Sequence, residues 1–298
     1  MDGGTPFVLN ESAGFFMVAV EDLISPVGLI AGNGTFPVEV ARRAKERGLT
    51  VVAVAHRGET DPALESVVSK VRWVRVGQLG KLISFLRSQG VRHVAFAGGI
   101  SRVKLFGGVS LDWRGAALVA RLRSIKDDVI LRGIAGELER EGLQVFGASL
   151  LLDRALPAVG PLTQRLLTVD ERRDAVLGWE AAKVIGGLDI GQTVVAAGGL
   201  VVAVEAVEGT DKAIERAHQL AGRGLVVVKV CKPHQDERLD LPTIGCQTIA
   251  TCERNGVTAL VVEAGKTIIL QPDEVVREAN RLGIAIQAVS AVAELASR

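Results

Sequence analysis

Short, almost wholly apolar runs recur along the first half of the chain. Each is followed by a stretch whose apolar residues return every three or four positions. PVGLIAG (26–32) reads as a strand, and FPVEVARRAKERG (36–48) as an amphipathic helix closed by Gly48. TVVAVAH and VRWVRV read as strands, LGKLISFLRSQG as a helix with a terminal glycine, and RHVAFAGG as a fourth strand. Residues 126–142 set Ile130, Ile134 and Leu138 on one helical stripe, and QVFGAS follows as a strand. Buried strands separated by amphipathic helices predict a parallel sheet in a Rossmann-like layer.

The pattern then changes. Residues 155–170 (LPAVGPLTQRLLTVD and its leading Ala155) are proline-containing and weakly periodic, which predicts a linker. A helix over 170–186 and a hairpin over 193–204 turning at Gly198-Gly199 follow. Next come a helix near 210–221, the strand LVVVKV, a polar loop, and a short helix in TIGCQTIATCERNG. The strands TALVVEA and TIIL, a helix over 272–283 and the strand IAIQAV complete the chain. Hairpins mixed with βα units predict a mixed α/β domain rather than a second Rossmann copy. The fold class is therefore α/β: an N-terminal extension (1–25), a Rossmann-like parallel-sheet domain (26–154), the linker (155–170) and a mixed α/β C-terminal domain (171–298).

Composition narrows the function classes. Lys plus Arg is 35 and Asp plus Glu is 34, so no global field favours nucleic acid, and aromatics at 4% leave few platforms for stacking bases. The three cysteines form no CxxC pair and the four histidines no zinc pattern, which suits small apolar thiols in a reducing compartment. GFFMVAV near the start lacks a basic flank and a cleavage pattern, against a signal peptide. The longest uncharged run, Ile190 to Val204, is too short for a membrane span.

Candidate chemistry gathers at strand ends. KPHQDERLDLPTIG (232–245) joins an apolar strand to a helix, and such loops lie where α/β proteins bind ligands. It offers Lys232, Gln235, Asp236, Glu237, Arg238 and Asp240; cations there suit phosphates, and a carboxylate suits a metal or a water. A solvated charge run explains Glu237, and a turn or cap competes for Asp240. GNGTFP places Gly32 and Gly34 before a helix start, which reads equally as a tight βα turn and as a phosphate or nucleotide contact. AGGISR adds Gly98, Gly99, Ser101 and Arg102 on the same predicted sheet edge. VEAVEGTD clusters Glu205, Glu208 and Asp211 around Gly209 and Thr210, as Mg²⁺ ligands or as a helix cap. The spacing of Asp127, Asp128 and Arg132 gives only a helix-start dipole effect and an i,i+4 pair.

Taken in order, GLIAGNGTFP, FAGGISR, DDVILR, LDIGQ, VEAVEGTD, KPHQDERLDLPTIG and EAGK resemble the UDP-2,3-diacylglucosamine pyrophosphatases of the LpxI type, over about residues 27–290. The resemblance implies a cytoplasmic enzyme of lipid A synthesis, peripheral on the inner membrane and with room for a homodimer. It would use Mg²⁺, or Mn²⁺ in its place, to hydrolyse UDP-2,3-diacylglucosamine to UMP and lipid X through water attack on the α-phosphorus. The family's functional aspartate falls on Asp240 of DLPTIG, with Glu208 and Asp211 as further metal candidates. The resemblance also raises Asp127, Asp128 and Arg132, and it sets Gln192, Gly209, Thr210, Lys232 and Gln235 on the substrate beside the glycine-rich strand ends. Two rivals remain at this level. An NADP-dependent oxidoreductase would use Gly32, Gly34 and Arg57, and a non-catalytic nucleotide-sugar or lipid-binding protein would bind without turnover.

Overall fold

A computed structural model describes residues 19–100, 110–122, 124, 126–152, 154–233 and 235–296. In the N-terminal domain five strands, β1 (Val27–Ala31), β2 (Val51–His56), β3 (Lys70–Val74), β4 (His93–Ala97) and β5 (Gln144–Phe146), form one parallel sheet in the order β3-β2-β1-β4-β5. That is the doubly wound order, and its switch point lies between β1 and β4. Helices α1 (Phe36–Glu46), α2 (Leu79–Ser88), α3 (Trp113–Arg121) and α4 (Asp127–Arg140) belong to this half. The strand period of two divides its core into two layers. Leu29, Ala31, Ala53, Ala55, Ala95 and Ala97 pack with Phe36 and Val40 of α1. Ile30, Val52, Val54, Val94 and Phe96 pack with Leu82, Ile83 and Leu86 of α2 and Leu138 of α4.

The second half contains β6 (Gly160–Pro161), α5 (Val169–Gly187), β7 (Thr193–Ala197), β8 (Leu200–Val204), α6 (Thr210–Ala221) and β9 (Leu225–Lys229). It continues through β10 (Thr243–Ile244), α7 (Cys246–Arg254), β11 (Val257–Glu263), β12 (Ile268–Ile269), α8 (Pro272–Leu282), β13 (Ala285–Val289) and α9 (Ala293–Ala296). The main sheet runs β6-β13-β11-β9-β7-β8; β9, β11 and β13 are parallel, while β6, β7 and β8 enter as antiparallel pairs. This is the mixed sheet that the hairpin signal predicts. At the hairpin tip Gly198 and Gly199 both take positive φ, and their N–H groups donate to the buried Asp174 carboxylate at 3.0 and 2.7 Å.

Two segments differ from the sequence reading. Residues 155–170 do not act only as a linker, because Gly160 and Pro161 pair with β13 as an edge strand, the position that tolerates proline. Arg165 then locks the segment to the second domain: it donates to Glu171 at 2.9 and 2.7 Å, to the Gly283 carbonyl at 2.6 Å, and to the Thr258 carbonyl. Burial works to raise the Glu171 carboxyl, but Arg165 and the Thr168 N–H outweigh it and hold it at about 2. Stability from this pair is therefore complete above the ordinary carboxylate range and is lost as pH falls toward 2. Melting temperatures of the wild type and Glu171→Gln are expected to differ at neutral pH and to converge in acid. The second difference lies in TIIL and TIG. Ile268–Ile269 pair with Thr243–Ile244 in a separate two-stranded sheet, so the start of the expected helix TIGCQTIATCERNG is extended.

The polar loop of the second domain docks into the first. Leu239 joins the layer of Ile30, Val54 and Phe96, whereas Leu241 joins the layer of Leu29, Ala31 and Phe36. The residue between them, Asp240, is thereby held across the carboxyl end of the N-terminal sheet.

Candidate functional site

A cleft of about 960 Å³ opens where the carboxyl edges of the two sheets face each other. Sheet one contributes the ends of β1 and β4, as Asn33, Gly34, Gly98, Gly99 and Ile100. Sheet two contributes Gly191 and Gln192 before β7, Glu205 to Gly209 after β8, and Lys229, Lys232 and Glu237 to Leu241 after β9. Both walls are the edges at which α/β sheets bind ligands.

Three helix starts reach this cleft: α1 at Thr35, α6 at Gly209 and α7 at Gly245. The starts of α1 and α6 carry no side-chain cap bond, whereas at α7 Thr248 Oγ1 accepts from the Gly245 N–H at 3.4 Å, and α5, away from the cleft, is closed by a Thr168–Glu171 capping box. Leading N–H groups without caps, at the positive ends of helix dipoles, suit an anionic ligand.

The glycines divide by role. Gly34 takes φ +78 with open space where a side chain would stand, so it shapes the turn and leaves the cleft clear. Gly32 does not line the cleft; it packs behind it, because a Cβ there would lie 2.3 Å from the Gly99 carbonyl oxygen. The two strand-end loops cross at this point, with the Gly32 N–H on Ala97 O at 2.8 Å and the Asn33 N–H on Gly99 O at 2.7 Å. Gly32→Ala is therefore expected to destabilise the fold by about 1–3 kcal/mol, as overpacking does. Urea denaturation checks this, and Gly99→Ala, whose Cβ would meet only Asn33 Oδ1 at 3.7 Å, is the milder control.

Asp240 is half buried and lines the cleft, with Oδ2 accepting from Gln235 Nε2 at 2.8 Å. Gln235 is itself oriented by the Lys232 N–H, which donates to Gln235 Oε1 at 3.1 Å. The Lys232 ammonium lies 2.6 Å from Asp189. The loop is fastened to the first domain by Arg238, which donates to Glu139 of α4 at 3.0 Å and to Asp236 at 2.8 Å. Burial works to raise the Asp236 carboxyl, but the Arg238 guanidinium overrides it and holds it below the usual range. Burial pushes the nearby Cys231 thiol up to about 12, so it is protonated at neutral pH and is no nucleophile.

The structure gathers some of the sequence candidates and separates others. Gly34, Gly98, Gly99, Gln192, Glu208, Gly209, Lys232 and Asp240 line the cleft, and Gln235 supports Asp240 from beside it. Thr210 sits just behind, bonded to Glu205 and Lys229. Asp128 and Arg132 pair with each other at the start of α4 and are not cleft-lining. Ser101 and Arg102 lie outside the described residues. Arg57, on which the oxidoreductase reading depends, is exposed beyond β2 and does not line the cleft.

The trio Asp240, Glu208 and Asp211 does not converge. No group of three His, Cys, Asp or Glu side chains able to hold a metal occurs among the described residues. Glu208 turns back onto its own turn, accepting from the Ala206 N–H at 3.1 Å and pairing with Arg216 at 2.5 Å. Burial works to raise its carboxyl, but those partners hold it low and ionised. Asp211 is exposed in the first turn of α6, where an acid favours the helix dipole. Asp240 alone of the three presents a carboxylate committed to the loop that spans both domains. One carboxylate with phosphate oxygens still suits Mg²⁺, which commonly takes one or two protein ligands beside a phosphate.

Sequence reasoning missed Lys229. It ends β9 inside the apolar run LVVVKV, is only 7% exposed, and lines the cleft. Its one visible signal is a charge at the last position of an otherwise wholly apolar strand.

The fold and site define a two-domain α/β protein with a cleft between opposed sheet edges. Two family models match the chain, the LpxI N-terminal domain over residues 26–155 and the LpxI C-terminal domain over residues 158–287. The chain belongs to the LpxI family. A relative, the UDP-2,3-diacylglucosamine pyrophosphatase LpxI of Caulobacter vibrioides, is 35% identical over 280 residues, which cover 88% of this chain and 97% of that protein. Among solved structures, 68% of the chain is similar to 44% of the biotin carboxylase subunit of pyruvate carboxylase, at 16% identity and a TM-score of 0.25. A further 67% match covers 46% of an ADP complex of N5-carboxyaminoimidazole ribonucleotide synthetase, at 17% identity and a TM-score of 0.27. The chain spans less than half of either solved chain, and likenesses of that size carry no functional argument.

Proposed function

We propose that this protein hydrolyses the diphosphate of UDP-2,3-diacylglucosamine to UMP and 2,3-diacylglucosamine 1-phosphate (lipid X), by attack of water on the α-phosphorus. The observation that carries the reading is Asp240, held between Leu239 and Leu241 in the lining of a cleft that the uncapped starts of α1 and α6 also reach. The relative that bears this activity in its name is 35% identical.

The chemistry follows from those groups. Water's oxygen bonds to the α-phosphorus, the bond to the bridging oxygen breaks, and the sugar phosphate leaves. Negative charge on the diphosphate needs fixed donors, and the helix-start N–H groups with Lys229 supply them. Asp240 binds the cation or orients the water, and Gln235 fixes its carboxylate through the 2.8 Å bond. Mg²⁺, or Mn²⁺ in its place, bound by Asp240 and phosphate oxygens, would add Lewis-acid stabilisation of the developing charge. The acyl chains of such a substrate belong in a bilayer, so the reading includes peripheral contact with the inner membrane. No helix among the described residues is long and apolar enough to cross one.

Purified protein given the lipid nucleotide and Mg²⁺ is expected to release UMP, and excess EDTA to suppress release. Absence of UMP with every divalent cation tried would refute the activity.

A further inference from the structure

We infer that Lys229 and Gln192 form a subsite for a phosphate that carries a hydroxylated sugar. The inference rests on the proposed reading of the cleft but not on its turnover. Lys229 is 7% exposed, and an ammonium so buried needs acceptors. Its Nζ donates to Thr210 Oγ1 at 3.1 Å and to the Thr243 carbonyl at 3.0 Å. An ammonium has three donors, so one N–H remains without an acceptor among the described residues. No carboxylate of the described residues pairs with Lys229; the nearest link is through Thr210, which donates to Glu205 Oε1 at 2.9 Å. Both Lys229 and Glu205 line the cleft.

Gln192 supplies an independent observation. It lies next to the cross-strand pair Thr193↔Lys229, and its backbone carbonyl accepts from the Val230 N–H at 3.0 Å. Its side-chain Oε1 is buried and has no hydrogen-bond partner, although the residue lines the cleft. A buried acceptor left bare is costly, and a donor from a ligand removes that cost. The subsite thus presents one cationic donor and one bare acceptor on adjacent strand ends, beside the uncapped start of α6. A phosphate oxygen matches the first and a neighbouring sugar hydroxyl the second. UMP and an aminosugar 1-phosphate share that chemistry.

Titration calorimetry of the wild type, Lys229→Met and Gln192→Leu with UMP, glucosamine 1-phosphate and uridine tests the subsite. Lys229→Met is expected to weaken at least one phosphate ligand about 10- to 100-fold, the range for a hydrogen bond to a charged group, while leaving uridine unchanged. Gln192→Leu should weaken the same ligand about 2- to 10-fold. Loss confined to UMP assigns the subsite to the nucleotide phosphate, and loss confined to glucosamine 1-phosphate assigns it to the sugar phosphate. Thermal melts identify misfolded variants, and Lys229→Arg, which keeps the charge, should retain part of the affinity. The inference is overturned by unchanged phosphate affinity in folded Lys229→Met and Gln192→Leu, by equal loss for uridine and UMP in Lys229→Met, or by a wild type that binds neither phosphate. A protein that binds through this subsite yet releases no UMP from the lipid nucleotide would refute the activity and leave the subsite standing.

Discussion

Asp240→Asn is expected to lower UMP release by at least about 10²-fold, the scale on which positioned acid–base and electrostatic groups act, while the protein stays folded. Asparagine keeps the volume of aspartate. Its amide oxygen can still accept from Gln235 Nε2, which donates to Asp240 Oδ2 at 2.8 Å. The flanking Leu239 and Leu241 are untouched, so the melting temperature should hold close to that of the wild type. What disappears is the negative charge in the cleft. The dependence on metal then separates two roles. If Asp240 binds the cation, the variant needs far more Mg²⁺ to reach its residual rate. If it orients the water, the Mg²⁺ requirement stays and only kcat falls. A folded Asp240→Asn protein with wild-type kcat at ordinary Mg²⁺ would rule out both.

Much of this arrangement was written in the local pattern of residues. The strands β1, β2 and β4 of the first sheet are short apolar runs buried on both faces, and such runs announce themselves. Gly34 was readable because a turn into a helix start needs positive φ, which the structure has at +78. Other features depend on what the chain meets far along the sequence. Gly32 has the look of a ligand glycine, yet its constraint comes from the Gly98–Gly99 backbone on another strand. Lys229 shows only as a charge closing a valine run until the sheet places its end at a cleft. Glu208 and Asp211 are close in sequence, but Glu208 turns back onto its own turn and Arg216 while Asp211 stands exposed in the first turn of α6. Local spacing cannot foresee that divergence. The docking of the polar loop is the clearest case: LDL reads as a turn with two apolar neighbours, and nothing nearby says that they enter opposite layers of another domain.

That docking carries the second large effect. Leu239→Ala and Leu241→Ala are each expected to cost about 2–5 kcal/mol, the range for truncating a buried leucine, since the two are 6% and 8% exposed. Both should also lower kcat below the melting transition, because they fix Asp240 relative to the glycine-rich edge of the other domain. The Arg238–Glu139 pair across the same junction cannot take over this task. Its side chains are 28% and 30% exposed, and such pairs contribute at most about 1 kcal/mol. Ile249→Ala separates the two consequences. Ile249 is fully buried in the core of the second domain and makes no part of the cleft, so its loss should destabilise by a similar amount and leave kcat intact. Chemical denaturation gives the stabilities, and initial rates well below each melting temperature give kcat. Leucine variants that lose stability but turn over like Ile249→Ala would show that the loop holds Asp240 in place without its two anchors.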